Sequence, residues 1–591
     1  MLVRQLGEII KKRRKELKIT QPYLAELAEI STNSLYKLEC GQEQKYKFDI
    51  KYFLVLFFAL FFSAISFSQS RRNFEVSKNL DIYSSLLREL DLFYVDTVQI
   101  DKIVKSSIDK MLAELDPYTT YIPENETNDL RFMTTGEYGG VGSVITARKD
   151  GSIIFSEPYE GMPADKAGIK AGDILLEVDG IKLNGKSTVE VSQMLRGQPG
   201  TVVKVKFQHY GDTKYVIKEF TREKIQINPV AYYGIVGENT GYISLTQFTD
   251  KAVDEVKKAM LDLKKKHQIT SLILDLRDNP GGIIDEAVKI ANLFLPKSQL
   301  IVSTKGKVRQ WDSEYRCANE PVDAEIPLVV LINGNSASAS EIVAGAVQDL
   351  DRGVLVGART FGKGLVQSTR ELSYKAYLKV TTAKYYTPSG RCIQSVDYSH
   401  RNEDSIPKNE VGEYKTRGGR LVTDGGGITP DVEISDNRKI SITYYLYAEN
   451  MISEFASEYV RKHKKIASPE EFELSDADYE DFKQFLKNNN FAYKLKSTEL
   501  LKRLKELAEI EGYGEIASED FNALEKTLSP NIEKDVELFK KDIVQLLGEE
   551  IVKRYYYQKG AIRYQLRNDT ELEKALEILN DKERYDNFLK I

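Results

Sequence analysis

Cysteine and histidine are the scarce reactive residues of this 591-residue chain. The three cysteines, Cys40, Cys317 and Cys392, are scattered, which excludes the close pairings of a structural zinc site or a dithiol redox pair. Cys317 and Cys392 are left as free thiols or as a bridge, because spacing alone does not bring two sulfurs together. The four histidines, His209, His267, His400 and His463, stand in no recognisable catalytic setting, and a histidine-activated nucleophile would need one of them. A large excess of one charge is also missing. The formal net charge of -5 argues against a chain-wide nucleic-acid partner, so any basic patch is local. No repeat of solenoid length is present. What remains is a chain too long for one hydrophobic core, with room for three or four domains.

The pattern changes along the chain in a definite order. Residues 3–18 read as a basic amphipathic helix. Leu24, Ala25 and Ala28 suit one further helix, and Ile30, Leu35 and Leu38 a second, capped by Ser31. Over residues 1–43 this resembles a repressor-like helix-turn-helix, which implies that Thr32, Asn33 and Tyr36 face a major groove. The stretch stops before the helices that close such a core, so residues 1–44 are read as a truncated leader. DNA is not expected as a partner despite residues 20–40. Lys45, Lys47 and Lys51 then precede an apolar run from Tyr52 to Phe67, followed by Ser68, Gln69 and Ser70. That order, over 45–70, is expected to be a secretory signal or membrane anchor, the run being shorter than the ~20 residues that comfortably span a bilayer. The expected location is exported: periplasmic, or anchored on the outer side of the cytoplasmic membrane, with the lysines inside.

Residues 71–135 have helical periodicity through Ile82, Leu86, Leu90, Phe93, Ile103, Ile108 and Met111, broken at Asp116-Pro117. Residues 136–222 carry short β-type runs between glycine turns. Residues 223–440 alternate strand and helix patterns. Residues 441–591 are helical, charge-rich and poor in glycine; they show no chemistry and are left to oligomerisation, partner docking or gating. The fold class is multidomain α/β.

Within 136–222, Tyr138, Gly139, Gly140, Val141 and Gly142 precede a strand, and glycines let successive N–H groups curl around an anion such as a peptide carboxylate. Downstream lie Pro163-Ala164-Asp165-Lys166-Ala167-Gly168-Ile169-Lys170-Ala171-Gly172-Asp173-Ile174, then Val178-Asp179-Gly180 and a helix with Val189, Val191, Met194 and Leu195. This segment resembles a PDZ domain of the bacterial-protease type. The resemblance implies that a carboxyl-terminal peptide adds as a strand between Val141–Thr146 and the Val189–Leu195 helix.

Three loops after apolar strands carry the remaining chemistry. Leu272–Leu276 leads to Arg277-Asp278-Asn279-Pro280-Gly281-Gly282, a glycine loop that can aim N–H groups at an anion. Leu328–Ile332 leads to Ser336, Ser338 and Ser340 at a strand-to-helix junction, where neighbouring N–H groups face a developing oxyanion. Helix capping is the plain alternative for these serines, and composition does not choose among them. Gly353–Gly357 leads to Lys363, set among Phe361, Leu365 and Val366, where an apolar surrounding would depress its pKa.

Together these pieces resemble the carboxyl-terminal processing, or tail-specific, proteases, a serine–lysine peptidase family. The resemblance runs from about residue 75 to 435 and includes Ala383-Lys384-Tyr385-Tyr386-Thr387-Pro388-Ser389-Gly390-Arg391 and Gly427-Ile428-Thr429-Pro430-Asp431. It implies a PDZ domain inserted before an α/β peptidase core. The family's serine stands 25 positions before its lysine and its glutamine four after, which selects Ser338, Lys363 and Gln367. It further implies that Gln367 orients Lys363 and that Ala339 with Gly281 or Gly282 supplies the oxyanion N–H groups. No metal and no organic cofactor is implied. The implied partners are proteins or peptides with accessible C termini; membrane association and homo-oligomers are compatible with the sequence. Two rivals stand beside this reading: a PDZ scaffold with a dead peptidase core, and a membrane-tethered regulator carried by residues 1–43.

Overall fold

The structure is a computed structural model that describes residues 73–126, 135–396, 398, 411–434 and 441–589, with scattered positions between 8 and 40. The expected signal or anchor at 45–70 lies outside the described residues. Among the described residues, no helix is long and apolar enough to cross a membrane. Two compact units, 1–108 and 109–591, divide the chain. In the first, Thr32–Glu39 is helical, Ala25 and Leu35 are buried, and the Arg14 and Gln21 side chains donate to Glu39. Residues 73–93 are helical and exposed almost throughout.

The second unit begins within the helix Ile100–Ala113. The Asp116 carboxylate then accepts the Tyr118 and Thr119 N–H groups, both at 2.8 Å, which turns the chain. Beyond the turn the expected helical character ends. Thr120–Ile122 is a strand, paired antiparallel with Tyr377–Tyr386, Thr120 opposite Lys379. Helical periodicity in the neighbours could not reveal a strand whose partner lies so far along the chain.

Residues 137–226 form a separate β module. Its sheet runs Ser143–Ala147, Ile153–Pro158, Ile174–Val178, Val202–Gln208, Tyr215–Thr221, with the short Ile181–Lys182 strand off Ile174–Val178. Val141, Phe155, Leu175, Val191 and Phe207 fill its core. The helix Thr188–Leu195 starts on a reciprocal cap between Ser187 and Glu190. Entry and exit are clasped, because Glu137–Gly140 pairs with Glu223–Gln226.

The largest core surrounds a six-stranded sheet in the order Val230–Val236, Thr240–Leu245, Ser271–Asp275, Leu328–Ile332, Val354–Gly357, Val432–Glu433. All pairs are parallel except the first. Ser271–Asp275 and Leu328–Ile332 are buried on both faces, hence their unbroken apolar runs. Alternate side chains point to opposite layers. Leu272, Leu274, Val330 and Ile332 meet the helices Ala252–His267, Ile284–Ala291 and Ala339–Asp349. Ile273, Val329 and Leu331 meet Leu572, Ala575 and Ile578 of the helix Thr570–Asn580. The helices of 441–591 are thus divided by packing: Ile442–Ala448, Met451–Lys462, Asp476–Asn488 and most of Lys540–Gln565 gather around their own core, and the last two helices, with Ile562, close the second face of the sheet. Parallel order brings the loops after three central strands to one edge, where ligands bind in open α/β sheets. Alongside lies an antiparallel sheet in which Tyr377–Tyr386 pairs with Leu365–Glu371, Leu300–Gly306 and Thr120–Ile122.

Candidate active site

The three serines of the strand-to-helix junction have different surroundings. Ser336 is fully buried; its hydroxyl donates to the Leu276 carbonyl at 2.7 Å and accepts the Asn333 N–H at 2.9 Å. Ser340 is also fully buried and donates to the Asn279 carbonyl at 2.8 Å. Both fasten the serine loop to the glycine loop. Ser338 between them is half-buried, and among the described residues its hydroxyl donates to no acceptor. Its backbone sits at φ 55, ψ -110, a conformation that costs a non-glycine residue on the order of 1–3 kcal/mol. Ser336→Ala is therefore expected to lower stability by ~1–2 kcal/mol, while Ser338→Ala leaves the unfolding midpoint at or above that of the parent. Chemical denaturation of the two variants checks this order.

The glycine loop presses directly on Ser338. A Cβ placed on Gly281 would lie 2.7 Å from the Ala337 carbonyl oxygen and 2.9 Å from the Ser338 Cβ, and Gly281 sits at φ 103. The fully buried Asn279 holds the loop, donating to the Leu245 carbonyl at 2.7 Å and accepting the Gly281 N–H at 2.9 Å. Of the two glycine N–H groups expected to face an oxyanion, that of Gly281 is thereby engaged. The N–H groups of Gly282 and Ala339 donate to no acceptor among the described residues.

Glu341 ties the serine to the lysine. It is wholly buried, and one of its oxygens accepts the backbone N–H of both Ser338, at 2.8 Å, and Lys363, at 2.9 Å. Those two amide nitrogens therefore lie within about 6 Å of each other. The other oxygen accepts the Gly362 N–H at 2.7 Å and the Thr360 hydroxyl at 2.6 Å. Burial pushes the Glu341 carboxyl up to about 7 against these four donors.

Lys363 is half-buried. Burial, followed by the like charge of Lys379, lowers its ammonium to about 8, with Glu341 and Asp116 pulling the other way. Its Nζ lies 4.4 Å from the centre of the Tyr118 ring. Among the described residues it makes no hydrogen bond to Ser338. Gln367 is not brought to Lys363 as a hydrogen-bond partner either. A register shift between Val366 and Gln367 sets it opposite Thr381, whose hydroxyl oxygen accepts a hydrogen bond from its Nε2 at 3.3 Å.

The segment of the β module expected to cradle an anion is only partly free. Tyr138, Gly139 and Gly140 belong to the strand paired with Glu223–Gln226. The Tyr138 phenol is pushed up by burial, against the Arg196 charge and the Ser143 N–H that it accepts. Val141 lies in the module's core. Gly142 turns the chain at φ 73, where a Cβ would lie 2.4 Å from that of Met162. The strand that follows, Ser143–Ala147, is the outer edge of its sheet. Cys317 and Cys392 are free thiols, and no group of described side chains could hold a metal ion.

Sequence reading missed Glu341, Asp116, Tyr118 and Lys379. The first had a legible signal, because Ser338-x-x-Glu341 opens an apolar helix in capping-box spacing. Asp116 and Tyr118 had only the Asp-Pro break, and Lys379 had none.

Comparisons with known proteins identify the family. Residues 239–399 match the family described as Peptidase family S41, residues 154–209 match a PDZ domain, and residues 442–579 match "Probable PDZ-protease, C-terminal helical domain". A carboxy-terminal-processing protease of Bartonella bacilliformis is 35% identical over 352 residues, covering 58% of this chain and 80% of that protein. A "Probable CtpA-like serine protease" of Staphylococcus aureus is 35% identical over 320 residues, covering 53% of this chain and 62% of that protein. A photosystem II D1 C-terminal processing protease aligns in structure with 29% identity and a TM-score of 0.34, over 60% of this chain and 92% of that one. The helix-turn-helix resemblance of residues 1–43 is not borne out. The chain belongs to the carboxy-terminal-processing proteases of peptidase family S41, serine-type peptidases with a PDZ domain.

Proposed function

We propose that this chain is an endopeptidase that cleaves exported proteins with a Ser338–Lys363 dyad and recognises their C-terminal tails through its PDZ domain. The carrying observation is the single Glu341 oxygen that accepts the N–H of both residues. With the two amide nitrogens within about 6 Å of each other, a lysine side chain is long enough to carry its amine from Tyr118 to the Ser338 hydroxyl. The neutral amine takes the Ser338 proton, and Oγ attacks the scissile carbonyl carbon. The Ala339 and Gly282 N–H groups stabilise the oxyanion. On collapse, the leaving amine takes the proton from Lys363, and water then hydrolyses the acyl-serine with Lys363 again as base. The test is degradation of an unfolded protein such as β-casein. Wild type should cleave it and folded Lys363→Ala should not; cleavage by that variant at the wild-type rate would sink the dyad.

Tail recognition is supported by the open edge of Ser143–Ala147, where a peptide can add as a strand. Gly142→Ala, at a left-handed position without room for a side chain, is expected to weaken binding of a fluorescein-labelled peptide with an apolar C-terminus about tenfold. Amidating the peptide should weaken binding to the wild type as well, read by fluorescence anisotropy. Equal affinity for acid and amide would remove carboxylate recognition from the proposal. Export is supported by the basic-then-apolar order of 45–70. Sequencing the N-terminus of the mature protein in fractionated cells tests it; an uncleaved chain in the cytosolic fraction would contradict it.

A further inference from the structure

The glycine loop beside Ser338 is gripped from the far end of the chain. Arg277, its first residue, presents its whole guanidinium to carboxylates. Nε donates to Asp275 at 3.0 Å and Nη2 to Asp275 at 2.6 Å, while Nη1 and Nη2 reach the two oxygens of Asp569 at 3.0 and 2.7 Å. Nη1 also meets Glu571 at 2.5 Å. The cluster is nearly closed to water, with side-chain exposures of 16% for Arg277, 7% for Asp275 and 9% for Asp569. Tyr242 completes it, donating to Asp275 at 2.6 Å. A planar, fork-shaped cation held this way fixes orientation as well as charge.

Asp569 occupies a junction. The helices from Ile442 to Gln565 end just before it, and the sheet-covering helix Thr570–Asn580 begins just after it. Two residues earlier, Arg567 donates to the Phe472 carbonyl inside the helical domain. The same short stretch therefore holds the helical domain with one side chain and the active-site loop with another. Asp569 has a second task, because its Oδ1 accepts the Glu571 and Leu572 N–H groups at 3.0 and 2.9 Å and caps that helix.

We propose that Asp569 and Glu571 are positioning residues of the peptidase site, acting through Arg277 on the loop that carries the Gly282 N–H. The inference rests on the oxyanion role assigned to that N–H above. Asp569 touches no substrate; it sets where the loop stands, and through the junction it makes that placement depend on the helical domain being docked.

The two tasks of Asp569 rank substitutions in opposite orders, which makes the inference testable. Capping favours Asn over Glu, whereas pairing with Arg277 favours Glu over Asn. In the full-length chain acting on fluorescein-labelled β-casein, Asp569→Asn is expected to lose kcat by on the order of 10- to 100-fold with KM within about twofold. Asp569→Glu should recover part of that loss although it caps worse and unfolds at a lower temperature. The alkaline-going rise of activity, which belongs to Lys363, should stay in place in both. Activity ranking Asn at or above Glu, or a change in KM alone, or wild-type kcat in both variants, overturns the inference. Lys363→Ala, assayed in parallel, separates the two questions: its activity decides the dyad, and the Asn-against-Glu order decides the junction.

Discussion

Lys363→Ala is expected to lower kcat by at least about 10³-fold while the protein stays folded, because the hydroxyl of Ser338 then has no base. In the proposed dyad the same lysine is expected to set the pH profile. Its ammonium is lowered to about 8, and only the neutral amine can take a proton, so kcat/KM should climb with pH and level off above 8. Lys379 contributes to that lowering by like charge. Removing it as Lys379→Met relaxes the penalty on the charged form, so the Lys363 value rises and the climb moves to higher pH. A profile that stays fixed in Lys379→Met, or that climbs only above 10, would contradict the assigned base. Stability should respond with the opposite sign to activity. A lysine whose folded-state value lies below its unfolded one opposes folding most where both states carry the charge, below about pH 8, and not at all above its unfolded value. Lys363→Met is thus expected to be more stable than the parent by ~1–3 kcal/mol at pH 7, after allowing for its partial exposure. Urea denaturation at pH 7 and pH 10 measures it, and the gain should shrink at the higher pH.

Glu341→Gln is the substitution expected to injure stability and catalysis together. Four donors converge on the two carboxylate oxygens: the N–H groups of Ser338, Gly362 and Lys363 and the hydroxyl of Thr360. An amide offers one oxygen and turns an NH₂ group toward donors it cannot accept from. Leaving buried donors unmet costs ~3–5 kcal/mol in total, and the loosened serine and lysine loops should cut kcat by on the order of 100-fold. The titration has a signature of its own. With Glu341 near 7 and Lys363 near 8, activity should fall tenfold per pH unit between those values and more steeply below 7, where the carboxyl also takes up a proton. In Glu341→Gln the steeper acid limb should vanish. A variant with wild-type stability and an unchanged acid limb would show that the shared oxygen does not matter.

The rivals fare differently. Against a PDZ scaffold with a dead core stands the membership of a serine-type peptidase family, and Ser338 is held at φ 55 with its hydroxyl spared while its two neighbours satisfy theirs. Backbone strain of that kind persists only where the surroundings enforce it. The tethered regulator rested on residues 1–43, whose resemblance the comparisons do not support.

Sequence by itself determined the order of the PDZ, peptidase and C-terminal helical modules and singled out the three loops to which the proposed chemistry is assigned, because each follows an apolar strand and each contains residues that a plain turn does not need. Fully buried parallel strands advertise themselves in this way, through the side chains of one short segment. Tertiary structure decided which serine is spared from holding loops together, that Glu341 joins it to Lys363, that Gln367 faces Thr381, and that the last two helices cover the central sheet. All four depend on partners distant in the chain. An amphipathic helix such as Thr570–Asn580 shows that it has an apolar face but not which surface that face meets, and a glutamine in a strand cannot announce a register shift one residue before it.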